Sequence, residues 1–198
     1  NDNTIISNVD SLRIFRHDPR IFFIGAVHEN IIFDGGLLKT TPAMAFIEIY
    51  HTGYSSSIVQ QKLERNLMIL LDNIEKRGEI PSDYLYLADC YYGLRDYKKA
   101  RFYAQCAIDK KVIAIGNETG VFRRLIDSTI LSGGSSEDII AAIDFALIKF
   151  PSSAEFHWNK GQYLLEHRDY LRAEMYLKEG LQLFNNAKSQ KEKGSLAG

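Results

Sequence analysis

Two stretches of the chain decide its fold: GLRDYKKARFYAQCAI at residues 93–108 and EHRDYLRAEMYLKEGL at residues 166–181. Both contain Arg-Asp-Tyr, and in both an alanine follows three residues after the tyrosine. The interval from Tyr97 to Tyr170 therefore equals the interval from Ala100 to Ala173. The chain contains an internal repeat.

A middle unit, SSEDIIAAIDFALIKFP at residues 135–151, gives the length of one repeat. The interval from Ala146 to Gly180 is about 34 residues, which is typical of tetratricopeptide repeats, each of which is a hairpin of two helices. The interval from Ala107 to Ala146 is slightly longer. The sequence thus predicts an array of three hairpins, with a further helix at 57–77 capping the first one. The predicted hairpins span residues 82–110, 119–150 and 153–186.

The residue sizes within the repeats agree with close helix packing. Small residues allow the two helices of a hairpin, and the next hairpin, to approach each other, and large residues fill the space between them. The small positions are Ala88, Ala100, Ala107, Gly161, Ala173 and Gly180, and the large ones are Tyr84, Leu87, Tyr91, Tyr97, Tyr163, Leu164, Tyr170 and Leu177.

The predicted helix at 57–77 has recognisable ends and one apolar side. Its apolar residues recur with a period of 3.6. Gly78 suits a left-handed position after the last turn, and Pro81 prevents the helix from continuing. Asp72 and Lys76 are spaced for an ion pair on the helix surface. The apolar stripe consists of Val59, Leu63, Leu67, Leu70 and Ile74.

Residues 1–54 are predicted to form strands and loops. Residues 12–16 and 45–51 alternate in polarity, whereas RIFFIGAV at 20–27 is a continuous apolar run typical of a strand buried on both faces. Three short strands bury too little surface to be stable alone, so this segment is expected to pack on the helices and to belong to a larger sheet. The predicted division of the chain is 1–54 (strands and loops), 55–188 (helical repeats) and 189–198 (flexible tail).

Composition narrows the functional classes. The chain has 198 residues, 45% of them hydrophobic and 25% charged, with a net charge of −1. The sequence has no concentrated basic face of the kind that binds nucleic acids. It also has no apolar run long enough to span a membrane. The chain lacks a signal-peptide pattern and begins at Asn1, which indicates a piece of a longer protein. Cys90 and Cys106 lack ligand-like spacing, and the expectation is a pair of reduced thiols in a cytoplasmic protein.

A series of short motifs before the repeats resembles the end of the catalytic domain in a group of bacterial glycosyltransferases. These are inverting, family-two enzymes of the GT-A fold with a C-terminal tetratricopeptide extension. Their R-hydrophobic-F-R strand, G-x-hydrophobic-H-E element, hydrophobic-x-H-x-G-Y strand and K-x-x-R-N helix start occur here in the same order. The matching residues are Arg13, Ile14, Phe15 and Arg16; Gly25, His28 and Glu29; His51, Gly53 and Tyr54; and Lys62, Arg65 and Asn66.

The resemblance implies that the chain is the C-terminal fragment of a nucleotide-sugar-dependent enzyme. In fold it would be mainly α, a helical hairpin array preceded by a small β and loop segment from the edge of a GT-A domain. The family's Asp-x-Asp metal motif does not occur in the strand-and-loop segment, so the fragment would not transfer sugar alone. The full-length enzyme would use a divalent metal, Mg or Mn, and would bind a nucleotide sugar and an acceptor. The repeats would then dock the acceptor or a partner.

The same resemblance assigns roles to six residues. His28 and Glu29 would be catalytic, on the acceptor side of the cleft. Four more would bind substrate, and one of these, His51, would also lie near the metal. Each has a plainer interpretation: a solvent-facing strand end for the first pair, a hydrogen bond at the junction of sheet and helix for His51, and ordinary surface arginines. The substrate-binding set is Arg13, Arg16, His51 and Tyr54.

The alternative function is a non-enzymatic scaffold. In that interpretation the segment 1–54 is a structural cap, and the repeats bind a peptide or protein partner. Most aromatic side chains of the repeats are expected in the core, and the remainder line the groove in which such arrays hold extended peptides.

Overall fold

The computed structural model describes residues 17–24, 30–34, 56–112 and 117–195, with the backbone alone at 24, 30, 56–58 and 188–195. The chain divides into two units, Asn1–Ser55 and Ser56–Gly198. The described part of the first unit is a strand pair, and that of the second is helical. The elements are β1 (Ile21–Ile24), β2 (Asn30–Phe33), α1 (Ser56–Arg77), α2 (Asp83–Gly93), α3 (Tyr97–Asp109), α4 (Gly120–Leu131), α5 (Ser136–Lys149), α6 (Ala154–Glu166) and α7 (Tyr170–Ser195).

In the first unit, β1 and β2 form an antiparallel pair in which Ile21 faces Phe33. The strand predicted over 20–27 is present at β1, but its predicted burial on both faces is wrong. Phe22 and Phe23 are 43% and 56% exposed, because β1 belongs to a two-stranded antiparallel sheet and not to the parallel interior that such apolar runs typify. β2 was not predicted, and the predicted strands at 12–16 and 45–51 lie outside the described residues.

The second unit is the predicted array of helical hairpins. The pairs α2/α3, α4/α5 and α6/α7 form three successive hairpins, and α1 packs on α2. We refer to α2, α4 and α6 as the first helices and to α3, α5 and α7 as the second helices. One core runs through all three hairpins and consists of Ala88, Ala104, Ala107, Val121, Phe122, Leu125, Ile126, Ala142, Ile143, Ala146 and Phe156.

The small residues of the repeats lie where helices approach most closely. Ala88, Ala100 and Ala173 are almost completely buried. A Cβ atom added at Gly161 would lie 2.6 Å from Cγ of Leu177 on the facing helix. These contacts confirm the packing role that the sequence predicts for small residues.

The Arg-Asp-Tyr motif forms the turn between the two helices of a hairpin. Arg95 and Arg168 adopt left-handed backbone conformations, with φ of 64° and 61°. The next residue, Asp96 or Asp169, accepts a hydrogen bond from a backbone N–H in the first turn of the second helix. The motif therefore ends one helix and caps the next.

The link from α1 to α2 has the signals that the sequence predicts. Gly78 has a φ of 82°, and Lys76 pairs with Asp72 at 2.7 Å. A contact that was not predicted joins the two helices: Nη2 of Arg77 donates to Oδ1 of the buried Asp83 at 2.6 Å. The backbone N–H of Ile80 donates to the same carboxylate at 2.9 Å. Asp83 therefore binds both the last residue of α1 and the link that follows it.

The last helix is longer than predicted. α7 continues to Ser195, through most of the segment for which the sequence predicts a flexible tail. Within the described residues, no helix is long and apolar enough to cross a membrane.

Candidate partner-binding surface

The first helices carry a row of charged and aromatic side chains that cross from one hairpin to the next. α4 supplies the centre of this row because its apolar residues, among them Phe122 and Leu125, point into the core. An α-helix has 3.6 residues per turn, so the residues between these apolar positions lie outside the buried stripe. These residues are Arg123, Arg124 and Asp127. We call the row the first-helix face, and it consists of Asp89, Tyr92, Arg123, Arg124, Asp127 and Glu155.

Arg124 joins α4 to α2. Its Nε donates to Oδ1 of Asp89 at 2.8 Å, and its guanidinium carbon lies 3.8 Å from the centre of the Tyr92 ring. A guanidinium over an aromatic face is attracted by the electron density of the ring. The ion pair and the stacking together fix the position of Arg124 between the two hairpins.

Arg123 joins α4 to α6. Its Nη2 donates to Oε2 of Glu155 at 2.6 Å, and its Nε donates to Oε1 of the same carboxylate. This two-point arrangement matches the planar guanidinium to the planar carboxylate. Neither side chain is buried, so a ligand can reach them.

Asp127, on the same helix as these two arginines, is half-buried. Burial raises the pKa of its carboxyl group above the ordinary value, and the nearby Glu155 raises it further, whereas Arg124, Arg123 and the Tyr92 hydroxyl act in the opposite direction. The pKa of Tyr92 is also raised, mainly by burial. The face thus presents both signs of charge, largely paired within the protein, and it can offer hydrogen bonds to a ligand of mixed polarity.

The described residues contain no cluster suited to a metal ion and no activated thiol. No group of three or more histidine, cysteine or acidic side chains among them could hold a metal ion. Burial raises the pKa of the Cys90 thiol to about 11 and also raises that of Cys106. Since the thiolate is the reactive form of cysteine, neither thiol is activated as a nucleophile.

The six site residues that the sequence analysis selected all lie outside the described residues. Their roles and the divalent metal of a full-length enzyme therefore stay untested predictions. The set is His28, Glu29, Arg13, Arg16, His51 and Tyr54.

The sequence analysis did not identify Arg123, Arg124 or Asp127. The signal was present as RRLID at residues 123–127, where two adjacent arginines and an aspartate interrupt the apolar period of a predicted helix. Their partners could not be predicted in the same way, because Asp89 and Glu155 lie far away in the sequence, in other hairpins.

Comparison with solved structures identifies the architecture. The chain is similar to MamA of strain MSR-1, with a TM-score of 0.54 and 14% identity over 70% of this chain and 82% of that one. It is also similar to MamA residues 41 to the end from Desulfovibrio magneticus RS-1, with a TM-score of 0.54 and 12% identity over 67% and 77% of the two chains. A double mutant of MamA from RS-1 gives a TM-score of 0.55 and 12% identity over 70% and 80%. These proteins are tetratricopeptide-like helical arrays.

A scan against protein-family models finds no match, and a search of curated proteins finds none either. The resemblance to family-two glycosyltransferases is therefore wrong. The three solved structures named above are MamA arrays and not glycosyltransferases, and no family model supports a GT-A domain. At 12–14% identity the likeness establishes the fold alone: the chain is a tetratricopeptide-like array of helical hairpins.

Proposed function

We propose that this chain is a non-enzymatic scaffold that binds an extended segment of a partner protein along the first-helix face. The observation that carries the proposal is the row of ion pairs from α2 through α4 to α6, with Arg124 held by Asp89 and Arg123 held by Glu155. Stacked helical hairpins generate extended surfaces of this kind, which bind partners over several repeats.

The chemistry of the face indicates the kind of segment that it binds. Each arginine already has a carboxylate partner, so the face is not a site for an isolated anion. An extended peptide offers backbone carbonyls to the guanidinium groups and backbone N–H groups to the carboxylates, and its side chains can be of either charge. Because the pairs of the face are partly exposed, salt should weaken the association.

The cytoplasm is the compartment we propose for this scaffold. Both cysteines are free thiols, one buried and one half-buried, as expected where the surroundings are reducing.

The experiment compares a variant that loses the ion pairs of the first-helix face with a control variant that loses an ion pair elsewhere between two hairpins. The test variant, Arg123→Gln with Arg124→Gln, disrupts the first-helix face. The control, Arg101→Gln, removes the pair between Arg101 on α3 and Asp138 on α5, which joins second helices. Partly exposed pairs contribute only about 0.2–1 kcal/mol each, so both variants should fold.

The 198-residue chain with a photo-reactive amino acid in place of Asn159, four residues after Glu155 on α6 and on the same side of the helix, would be cross-linked in cell extract. This substitution keeps the ion pairs of the face, and the cross-linked peptide would be identified and synthesised. We expect the synthetic segment to bind the Arg101→Gln variant as it binds the unmodified chain, and to bind the double variant at least tenfold more weakly. Equal binding to all three proteins, or an equal loss in both variants, would show that the first-helix face is not the binding surface.

A further inference from the structure

Within the array, the groove between the two helices of one hairpin is filled by the first helix of the next hairpin. α4 covers the α2/α3 groove and contributes Val121, Phe122, Leu125 and Ile126 to the shared core. The groove floor is thereby sealed, since Ala104 of α3 is completely buried.

The second groove is filled in the same way. α6 packs on α5 and places the fully buried Phe156 among the core residues of the α4/α5 hairpin. Lys160 of α6, itself almost buried, reaches Asp144 of α5 at 2.6 Å. The first two hairpins are therefore each covered by the first helix of the next hairpin.

The third groove, between α6 and α7, is covered by none of the helices that the structure describes. Trp158 is 55% exposed and Leu181 is 60% exposed, although both are large apolar residues. We call this the terminal groove, and it is lined by Trp158, Leu165, Tyr170, Ala173, Glu174, Leu177, Lys178 and Leu181. The end repeats of such arrays normally present a polar outer face to solvent, and a continuous apolar patch on a surface marks an interaction site.

Comparison with the first hairpin indicates that the terminal groove lacks a covering helix. The third hairpin aligns with the first when it is shifted by the interval from Tyr97 to Tyr170. Trp158 then corresponds to Leu85, and Leu181 corresponds to Ile108. Both residues of the first hairpin are partly buried against the core to which α4 contributes. The positions exposed in the third hairpin are thus those that a helix covers in the first.

We propose that the terminal groove binds an amphipathic α-helix of a partner protein, docked in the position that α4 occupies on the first hairpin. The partner helix presents apolar residues at positions i, i+1, i+4 and i+5, as α4 does. Its flanks are polar, since Glu174 and Lys178 lie at the groove.

A second copy of this chain fits the groove less well. Outside the groove, the described helices expose large apolar residues in smaller or more scattered sets: Met68 and Leu71 on α1, Ile130 and Leu131 on α4, and Leu171, Met175 and Phe184 on α7. None of these sets has the i, i+1, i+4, i+5 spacing of the stripe that α4 provides. Two copies meeting through their terminal grooves would bring two concave surfaces together, and neither would supply the ridge that fills a groove.

The single tryptophan of the chain provides a direct reporter for this site, because Trp158 lies in the terminal groove. The probe is a synthetic helix with the sequence of residues 119–132, stapled on its polar side so that circular dichroism confirms its helicity. Its control carries Phe122→Glu and Leu125→Glu. The protein is the full chain.

We expect the probe to shift the emission of Trp158 to shorter wavelength and to saturate, whereas the control peptide leaves it unchanged. The variant Leu181→Lys should weaken binding at least tenfold. Ile148→Lys changes an apolar residue on α5 that is 75% exposed and lies outside the groove, so it should bind the probe as the unmodified chain does.

Two results would overturn the assignment. A fully helical probe that leaves Trp158 emission unchanged would show that the groove does not accept a helix. Sedimentation as a dimer that Leu181→Lys converts to a monomer would show that a second copy occupies the groove. The Arg123→Gln, Arg124→Gln variant should retain the Trp158 response, which separates this site from the first-helix face.

Discussion

At the scale of single residues, Asp127 shows how burial competes with charge. Its carboxylate lies near two arginines, which favour the ionised form, yet burial is the larger effect and the pKa is raised. Half-burial takes water away from the carboxylate, and the arginines already have carboxylate partners of their own. Asp127 therefore binds its proton more tightly in the folded chain than in the unfolded one.

This difference predicts a pH-dependent effect of Asp127→Asn. The stability associated with a raised pKa is fully present below the unfolded value near 3.8 and is lost as pH rises through the folded pKa. Asparagine does not ionise, so the variant does not lose this stability as pH rises. We therefore expect Asp127→Asn to have a larger free energy of unfolding than the unmodified chain at pH 7. This difference should disappear below pH 3.8. Urea unfolding at both pH values measures the difference in the free energy of unfolding.

Tyr92→Phe is the complementary change. It removes the hydroxyl that lowers the pKa of Asp127, so the ionised carboxylate becomes less favourable. The expected loss of stability is larger at pH 7 than at acid pH. A loss of the same size at every pH would assign the effect to packing and not to Asp127.

At the scale of elements, the sequence predicted the helices well because their signals are local. The apolar period of α1, the glycine after its end and the Arg-Asp-Tyr turns each act within a few residues. What the sequence did not reveal is that Arg95 and Arg168 take the left-handed position that glycine usually occupies. The backbone of these turns closes with hydrogen bonds such as Asp96 N–H to the Tyr91 carbonyl, which compensates for the less favourable conformation.

The candidate site was less predictable than the helices for a physical reason. The pairing of Arg124 with Asp89, and of Arg123 with Glu155, depends on how neighbouring hairpins align. That alignment depends on the packing of many residues in the core, and no short motif encodes it. The glycosyltransferase resemblance failed for a related reason, since its short motifs, such as Lys62, Arg65 and Asn66, are patterns of strand ends and helix starts and contain little chemistry.

Gly161 offers a direct test of close packing between helices. A methyl group there would lie 2.6 Å from Cγ of Leu177 and 3.2 Å from its backbone nitrogen, so either the Leu177 side chain must change its position or α6 and α7 must separate. Overpacking of this kind costs about 1–3 kcal/mol, partly offset by up to about 1 kcal/mol from the higher helix propensity of alanine. Taking about 2 kcal/mol, the middle of the overpacking range, less up to about 1 kcal/mol from helix propensity, we expect Gly161→Ala to lower the free energy of unfolding by about 1–2 kcal/mol. Urea denaturation measures this change.

Gly120→Ala is the matched control. The three atoms nearest to the added methyl group all belong to the side chain of Asn117, which is exposed and can rotate away. Stability should be unchanged or slightly higher. If Gly161→Ala were equally harmless, the close approach of α6 and α7 would not be essential to the hairpin.

At the scale of the whole molecule, the second unit is a linear array in which each hairpin contacts its neighbours. The core residues, from Ala88 to Phe156, all belong to this unit. Such arrays gain their stability from individual repeats and from the interfaces between adjacent ones. No contact between distant parts of the array is needed to form this core.

This locality predicts that a chain of residues 56–198 folds alone, because all the described core residues lie within it and α1 is anchored to α2 through Arg77 and Asp83. We expect helical circular dichroism, one cooperative thermal transition and a Tm within a few degrees of that of the full chain. As a control, the same fragment with Asp83→Ala should lose stability, since removing one partner of a buried pair costs about 3–5 kcal/mol and less here because Arg77 is partly exposed. A fragment that is helical but melts without a cooperative transition would show that residues 1–55 complete the fold of the array.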